Sequence, residues 1–141
     1  MRVLLALLTL AVAGCDTVRP DVVALDDVLV VDVVAADPAV LPALTFVTEG
    51  APGCATPVAY RTRVSRDVLT VEVDGLEVPT GPTCRAFIPS SFAVAVPTTT
   101  ASALDVEVRH RGETDRYEVR YADGGLELVP VRTSATRAGP R

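Results

Sequence analysis

Three cysteines and one histidine are the most distinctive reactive side chains of this chain, beside its 18 aspartates and glutamates. A cysteine thiol can carry a lipid, form a disulfide, bind a metal or act as a redox centre. A histidine can serve as a general base or a metal ligand near neutral pH. These residues are Cys15, Cys54, Cys84 and His110, and their surroundings decide which chemistry each one favours.

Cys15 follows a segment typical of exported bacterial proteins. Arg2 supplies a positive charge, and residues 3–13 form an apolar run that is too short to span a bilayer as a helix. The tetrapeptide Val12-Ala13-Gly14-Cys15 resembles the lipobox of bacterial lipoproteins. The resemblance implies that signal peptidase II cleaves before Cys15 and that its thiol carries a diacylglyceryl group. The acyl chains would hold the mature protein at a membrane without a spanning helix. An ordinary secretory signal is the alternative.

If Cys15 carries the lipid, Cys54 and Cys84 are the two remaining thiols. An even number of thiols in an exported protein favours a disulfide, and each residue lies in a segment rich in Gly and Pro. A bridge closing a loop of about 30 residues would stabilise the fold by roughly 3–4 kcal/mol. A redox pair or a metal site are the alternatives, but the wide spacing lacks the C-x-x-C pattern typical of a redox pair.

His110 is surrounded by no recognisable catalytic motif. The sequence has no G-x-S-x-G elbow, phosphate-binding loop or dinucleotide fingerprint, and a zinc site would need more ligands than one histidine supplies. We therefore interpret His110 as the end of a strand beside a hairpin turn. We expect no catalytic residues, no metal, no cofactor and no enzymatic activity.

The charge distribution argues against nucleic-acid binding. The formal net charge is −5, and all 13 basic residues are arginines that are spread along the sequence. A phosphate-binding surface needs a clustered positive field. Six aspartates between residues 16 and 37 raise the alternative of a calcium site, but no D-x-D-x-D-G loop occurs, and we interpret them as solvent-facing.

The elements that must position these residues are strands. Polarity alternates, fully or nearly, in eight segments of the sequence. They are residues 28–33, 44–47, 60–64 and 69–73 and the four apolar runs between 92 and 129. Asp74-Gly75 and Asp123-Gly124-Gly125 predict hairpin turns. The sequence therefore predicts an all-β fold, an antiparallel β-sandwich of about seven strands that resembles immunoglobulin-like sandwiches in architecture alone. A small open β-barrel is the alternative.

The predicted organisation is a signal peptide (1–14), a lipidated tether (15–21), a β-sandwich domain (22–133) and a flexible tail (134–141). We expect a protein of the cell envelope, anchored outside the cytoplasm by lipid on Cys15, with either membrane of the envelope possible. A non-enzymatic structural or protein-interaction role is the leading hypothesis, with an envelope protein as partner. A glycan- or peptide-binding module is the alternative, and Tyr117 and Tyr121 exposed together on one face would be its signature. An enzyme with an unrecognised site is a further alternative.

Overall fold

A computed structural model describes residues 21–34, 41–50, 56–78, 88–122 and 125–140. The described residues form ten β-strands and no helix. Their bounds are β1 Val22–Val23, β2 Leu29–Val34, β3 Ala43–Thr48, β4 Val58–Ser65, β5 Val68–Glu77, β6 Ser91–Ala95, β7 Ala103–His110, β8 Glu113–Ala122, β9 Gly125–Arg132 and β10 Thr136–Ala138.

The strands are arranged in two sheets. In the six-stranded sheet, β4 pairs with one side of β5, while the short β1 and then β7, β8 and β9 extend from its other side. The four-stranded sheet has the order β10-β2-β3-β6. The larger sheet thus holds six of the ten strands. Its two long edge strands are β4 and β9.

The core lies between the inner faces of the two sheets. Leu69, Val71 and Val106 of the larger sheet pack with Val31 and Phe46 of the smaller one, and all five are almost completely inaccessible to solvent. Because successive side chains of a strand point to opposite faces, the alternation in the sequence buries one apolar row per strand. The all-β class and the sandwich-like arrangement predicted from the sequence are confirmed.

Strand number and direction differ from the prediction. The two shortest strands, β1 and β10, have too few residues to produce a periodic signal. The pairs β5–β7 and β10–β2 are parallel, so both sheets are mixed rather than antiparallel. The chain leaves β5 for β6 in the other sheet and returns as β7, and such a crossover is what parallel neighbours require. Within the described ranges the sheets do not close into the barrel considered as an alternative.

The hairpin predicted at Asp74-Gly75 is wrong. Strand β5 continues through Gly75, whose φ is +149°, and the hairpin between β4 and β5 instead turns at residues 66–67. A Cβ at position 75 would overlap the carbonyl oxygen of Val23 and lie 2.8 Å from Cγ1 of Val22. The glycine therefore marks a close approach of β1 rather than a turn.

The flexible tail predicted for 134–141 is also wrong over most of its length. Thr136–Ala138 forms β10 and pairs in parallel with β2, and Ala135 and Thr136 are buried. Hydrogen bonds to the buried carboxylate of Asp115 hold this segment, so it needs no alternating apolar row and its sequence shows none. The sandwich therefore includes residues beyond 133.

Candidate functional site

The three cysteines singled out by the sequence, Cys15, Cys54 and Cys84, lie outside the described residues. The chain flanking the two Gly/Pro-rich segments is described, and it converges. The N–H of Glu77 donates to the carbonyl of Pro57 at 2.9 Å, and the N–H of Thr56 donates to Oγ of Ser90 at 3.2 Å. The disulfide between Cys54 and Cys84 stays a prediction.

His110 ends β7 beside a two-residue turn, as the sequence indicated. It is buried, and its Nε2 lies 2.7 Å from the carbonyl oxygen of Asp27. A carbonyl can only accept a hydrogen bond, so Nε2 is the donor and carries a proton. His110 thus ties the β7–β8 turn to the residues that precede β2, and Nε2 is not available as a base.

The two tyrosines that share a phase in β8 have different environments. Tyr117 is 1% exposed, and its hydroxyl lies 2.5 Å from Oγ1 of Thr136. Burial raises the pKa of Tyr117 to about 12. Tyr121 is 37% exposed and donates to the carbonyl of Pro97 at 3.2 Å. The exposed aromatic pair expected of a ligand-binding face is therefore not formed.

Asp115 is a buried carboxylate that no motif of the sequence singled out. Its two oxygens accept hydrogen bonds from the backbone N–H groups of Ser134, Ala135 and Thr136 and from the hydroxyls of Ser134 and Thr136, at 2.6 to 2.9 Å. Burial alone would raise the pKa of Asp115, but these hydrogen bonds outweigh it and hold the pKa below its usual value. The sequence indicated its burial but not its partners, because Asp115 shares the inward phase of Tyr117.

The larger sheet carries a groove on its outer face that is lined by four arginines. Arg61 and Arg63 project from β4, Arg66 lies in the β4–β5 turn and Arg109 is near the end of β7. The groove has a volume of about 710 Å³, and Glu72 is the one acidic residue in its lining. In a chain of net charge −5, this is a local positive surface.

Strand pairing brings these arginines together. Arg61 lies opposite Glu72 in the β4–β5 pair, and Glu72 lies opposite Arg109 in the parallel β5–β7 pair. The arginines are spread along the sequence, which predicts no cluster, and that prediction is wrong for these four. The spacing Arg61-x-Arg63-x-x-Arg66 indicated that these three arginines lie close together. Arg109 joins them only because β7 pairs with β5 after a crossover, and polarity alternation does not reveal that pairing.

The four arginines differ in how far their charge is compensated. Arg61 donates to both oxygens of Asp74, at 2.7 and 3.0 Å, and lies 3.2 Å from Glu72, so that its pKa is raised. Arg109 lies 3.6 Å from Glu107. Arg63 and Arg66 form no ion pair with any residue that the structure describes. Their positive charge is therefore the least compensated in the groove.

The inner side of β4 is also only partly covered. Tyr60 stacks on Phe92 at 4.3 Å between ring centroids and donates to the carbonyl of Ala93. Beyond this contact the strand projects past the smaller sheet, and Val64 is 53% exposed although it lies opposite the buried Leu69. The end of β4 near the turn thus has two solvent-facing sides.

Comparisons with protein families, with curated proteins and with solved structures find no match to this chain. Within the described ranges, no group of three or more His, Cys, Asp or Glu residues could hold a metal ion. The same ranges contain no helix that is long and apolar enough to cross a membrane.

Proposed function

We propose that this chain is a lipid-anchored protein of the bacterial cell envelope whose β-sandwich domain binds another protein and does not catalyse a reaction. The observation that carries the proposal is strand β4, an eight-residue edge strand bordered by the arginine-lined groove and by the exposed Val64. Among the described residues, no strand pairs with its outer side. An extended segment of a partner can add to such an edge.

The backbone of β4 fits this role. The β4–β5 hairpin has a two-residue turn, so its closing pair, Ser65 and Val68, is hydrogen-bonded. Hydrogen-bonded and non-hydrogen-bonded pairs alternate along an antiparallel ladder. The N–H and C=O groups of Val64, Thr62 and Tyr60 therefore point away from β5. They provide the donors and acceptors that an added strand needs.

The reactive side chains of the described interior support a non-enzymatic role. His110 donates a hydrogen bond to the carbonyl of Asp27. The carboxylate of Asp115 accepts five hydrogen bonds from residues 134–136. Each group therefore has a structural partner that stabilises the fold. The burial of Tyr117 also makes a glycan-binding face the weaker alternative, because aromatic platforms for sugars must be exposed.

The anchor on Cys15, the bridge between Cys54 and Cys84 and the immunoglobulin-like character of the sandwich belong to the proposal. The convergence of Pro57 with Glu77 supports the bridge, because it brings together the chain that leads to both cysteines. Two face-to-face sheets support the likeness to immunoglobulin-like domains, although the parallel β5–β7 pair departs from their antiparallel pattern. Mass spectrometry without reduction tests the bridge, and free thiols at both cysteines would contradict it.

Site-specific photo-crosslinking tests the binding role. A photoreactive residue replaces Val64 of the full-length chain in intact cells of its host, and Val131 on the opposite edge of the sheet serves as the control because it too is exposed. We expect a protein adduct from position 64 that is absent from position 131. The variant Thr62→Pro should remove the adduct, since it deletes an outward N–H without breaking the β4–β5 ladder. Equal adducts from both positions, or an adduct that survives Thr62→Pro, would contradict the proposal.

A further inference from the structure

The side chains of β4 divide into two chemically different rows. Arg61 and Arg63 lie on the outer face of the sheet, opposite Glu72 and Thr70. Thr62 and Val64 lie on the inner face, opposite Val71 and the buried Leu69. A strand added along β4 would continue the same alternation, because neighbouring strands of a sheet share its two faces.

The outer row favours a negative partner. Arg63 and Arg66 form no ion pair within the described ranges, whereas the charges of Arg61 and Arg109 are compensated by acidic neighbours. Opposite charges facing each other across two strands stabilise their pairing, whereas like charges destabilise it. The residues of an added strand that share a face with Arg63 should therefore be Asp or Glu.

The inner row favours an apolar partner. Val64 is 53% exposed and Tyr60 is 38% exposed, although both lie on the face that forms the core elsewhere in the sheet. An apolar side chain placed beside them would remove their surface from water and extend the core past the smaller sheet. The residues of an added strand that lie on this face should therefore be apolar.

The same features argue against a second copy of this chain as the occupant. Two β4 strands paired edge to edge would place Arg61 and Arg63 across from the arginines of the other copy, and charged edge strands commonly prevent such self-pairing. The other long edge of the sheet is a poorer template, because Pro130 removes a backbone donor from β9. No proline occurs within β4.

We propose that β4 binds an extended partner segment in which acidic and apolar residues alternate, an inference that rests on the proposed docking role of this strand. The acidic side chains lie beside Arg63 and Arg66, and the apolar ones cover Val64. The backbone of the segment pairs with the outward groups of Tyr60, Thr62 and Val64. The arginine groove thus selects the charge of the partner, and the backbone supplies sequence-independent affinity.

Three synthetic peptides of equal length test this selectivity. They alternate Asp with Val, Lys with Val, or Asn with Val, and each carries a fluorescent label for anisotropy measurements on the mature chain without its lipid. We expect the Asp–Val peptide to bind most tightly and to weaken as salt is raised from 0.05 to 0.5 M, because the attraction is partly screened. Asp–Val and Lys–Val peptides that bind equally would overturn the proposal.

A charge reversal in the chain gives the sharper comparison. Arg63→Glu should weaken the binding of the Asp–Val peptide by about three- to tenfold, since it replaces an attraction by a repulsion. The same change should strengthen the binding of the Lys–Val peptide. Arg132→Glu makes the same charge change on β9, at the other edge of the sheet, and should leave the preference unchanged. If both variants change the preference equally, the effect is one of net charge and the proposal is wrong.

The outcomes separate this inference from the proposed function. Crosslinks from position 64 in cells, together with peptides that show no charge preference, would uphold β4 as the docking edge and refute the acidic partner. Selective binding of the Asp–Val peptide without crosslinks in cells would uphold the chemistry of the site and refute its use in the envelope.

Discussion

Asp115 is the residue on which the last strand of the fold depends. Its carboxylate holds the backbone of residues 134–136 at the point where the chain passes from the larger sheet to the smaller one. Burying a charge is costly unless hydrogen bonds replace its water, and five of them do so here. The buried row of Leu104, Val106 and Val108 was predictable from alternation. The role of Asp115 was not, because its partners lie in a segment without periodicity.

Replacing this carboxylate should destabilise the domain. Asp115→Asn keeps the volume but turns one acceptor into an NH₂ group that faces donors, so we expect the free energy of unfolding to fall by about 2–4 kcal/mol at pH 7. Urea denaturation measures the change. Asp105→Asn, at an exposed position of β7, is the control and should change the stability by less than about 0.5 kcal/mol.

The stability should also depend on pH in a defined direction. Because the folded pKa of Asp115 lies below its usual value of 3.8, its contribution is complete above that value and is lost as the pH falls through the folded pKa. The difference in stability between the wild type and Asp115→Asn should therefore shrink as the pH is lowered below about 4. A difference that stays constant down to pH 2 would show that the carboxylate charge is not what stabilises this corner.

At the scale of elements, the sequence revealed strands but not their neighbours. Polarity alternation is a property of one strand and its two faces, so it located the eight longer strands well. Pairing depends on contacts distant in sequence, so the parallel β5–β7 pair and the grouping of Arg109 with Arg63 could not be read from it. The failed hairpin at Asp74-Gly75 has the same origin, since the glycine is required by the approach of β1.

Two glycines with positive φ allow this explanation to be tested. Gly75→Ala should lower the free energy of unfolding by about 2–4 kcal/mol, because its Cβ would overlap the Val23 carbonyl and the backbone conformation is unfavourable for alanine. Gly112 has a φ of +76°, but an added Cβ would meet no atom within 4 Å. Gly112→Ala should therefore lower the free energy of unfolding by only about 1 kcal/mol. An equal decrease in the free energy of unfolding in the two variants would mean that β1 does not approach Gly75 closely.

For the whole molecule, the amino-terminal segment suggests a location and the fold suggests a mode of action. A two-layer β domain held by a lipid would present its edge strands to other envelope proteins. The sequence predicted the two layers, which the structure confirms, and the lipid anchor on Cys15, which stays a prediction. It could not predict which edge stays open, because that depends on where β4 projects past the smaller sheet.

The anchor can be tested independently of the domain. Cys15→Ala should abolish the acyl mass of the protein and release it from the membrane fraction, because the thioether attachment is lost. Fractionation and intact-mass measurement of the full-length chain provide the readout. Gly14→Ala keeps a small residue before the cysteine and should preserve lipidation. A Cys15→Ala protein that remains membrane-bound and processed as before would contradict the lipobox interpretation.

Amide hydrogen exchange of the mature domain shows whether the outer edge of β4 is open to a partner. The N–H groups of Arg61, Arg63 and Ser65 are bonded to β5 and should exchange slowly, whereas those of Tyr60, Thr62 and Val64 should exchange quickly because they face solvent. Nuclear magnetic resonance resolves each amide separately. We expect this alternation of slow and fast exchange along β4. Protection of Tyr60, Thr62 and Val64 equal to that of their neighbours would show that the edge is already occupied and would contradict it.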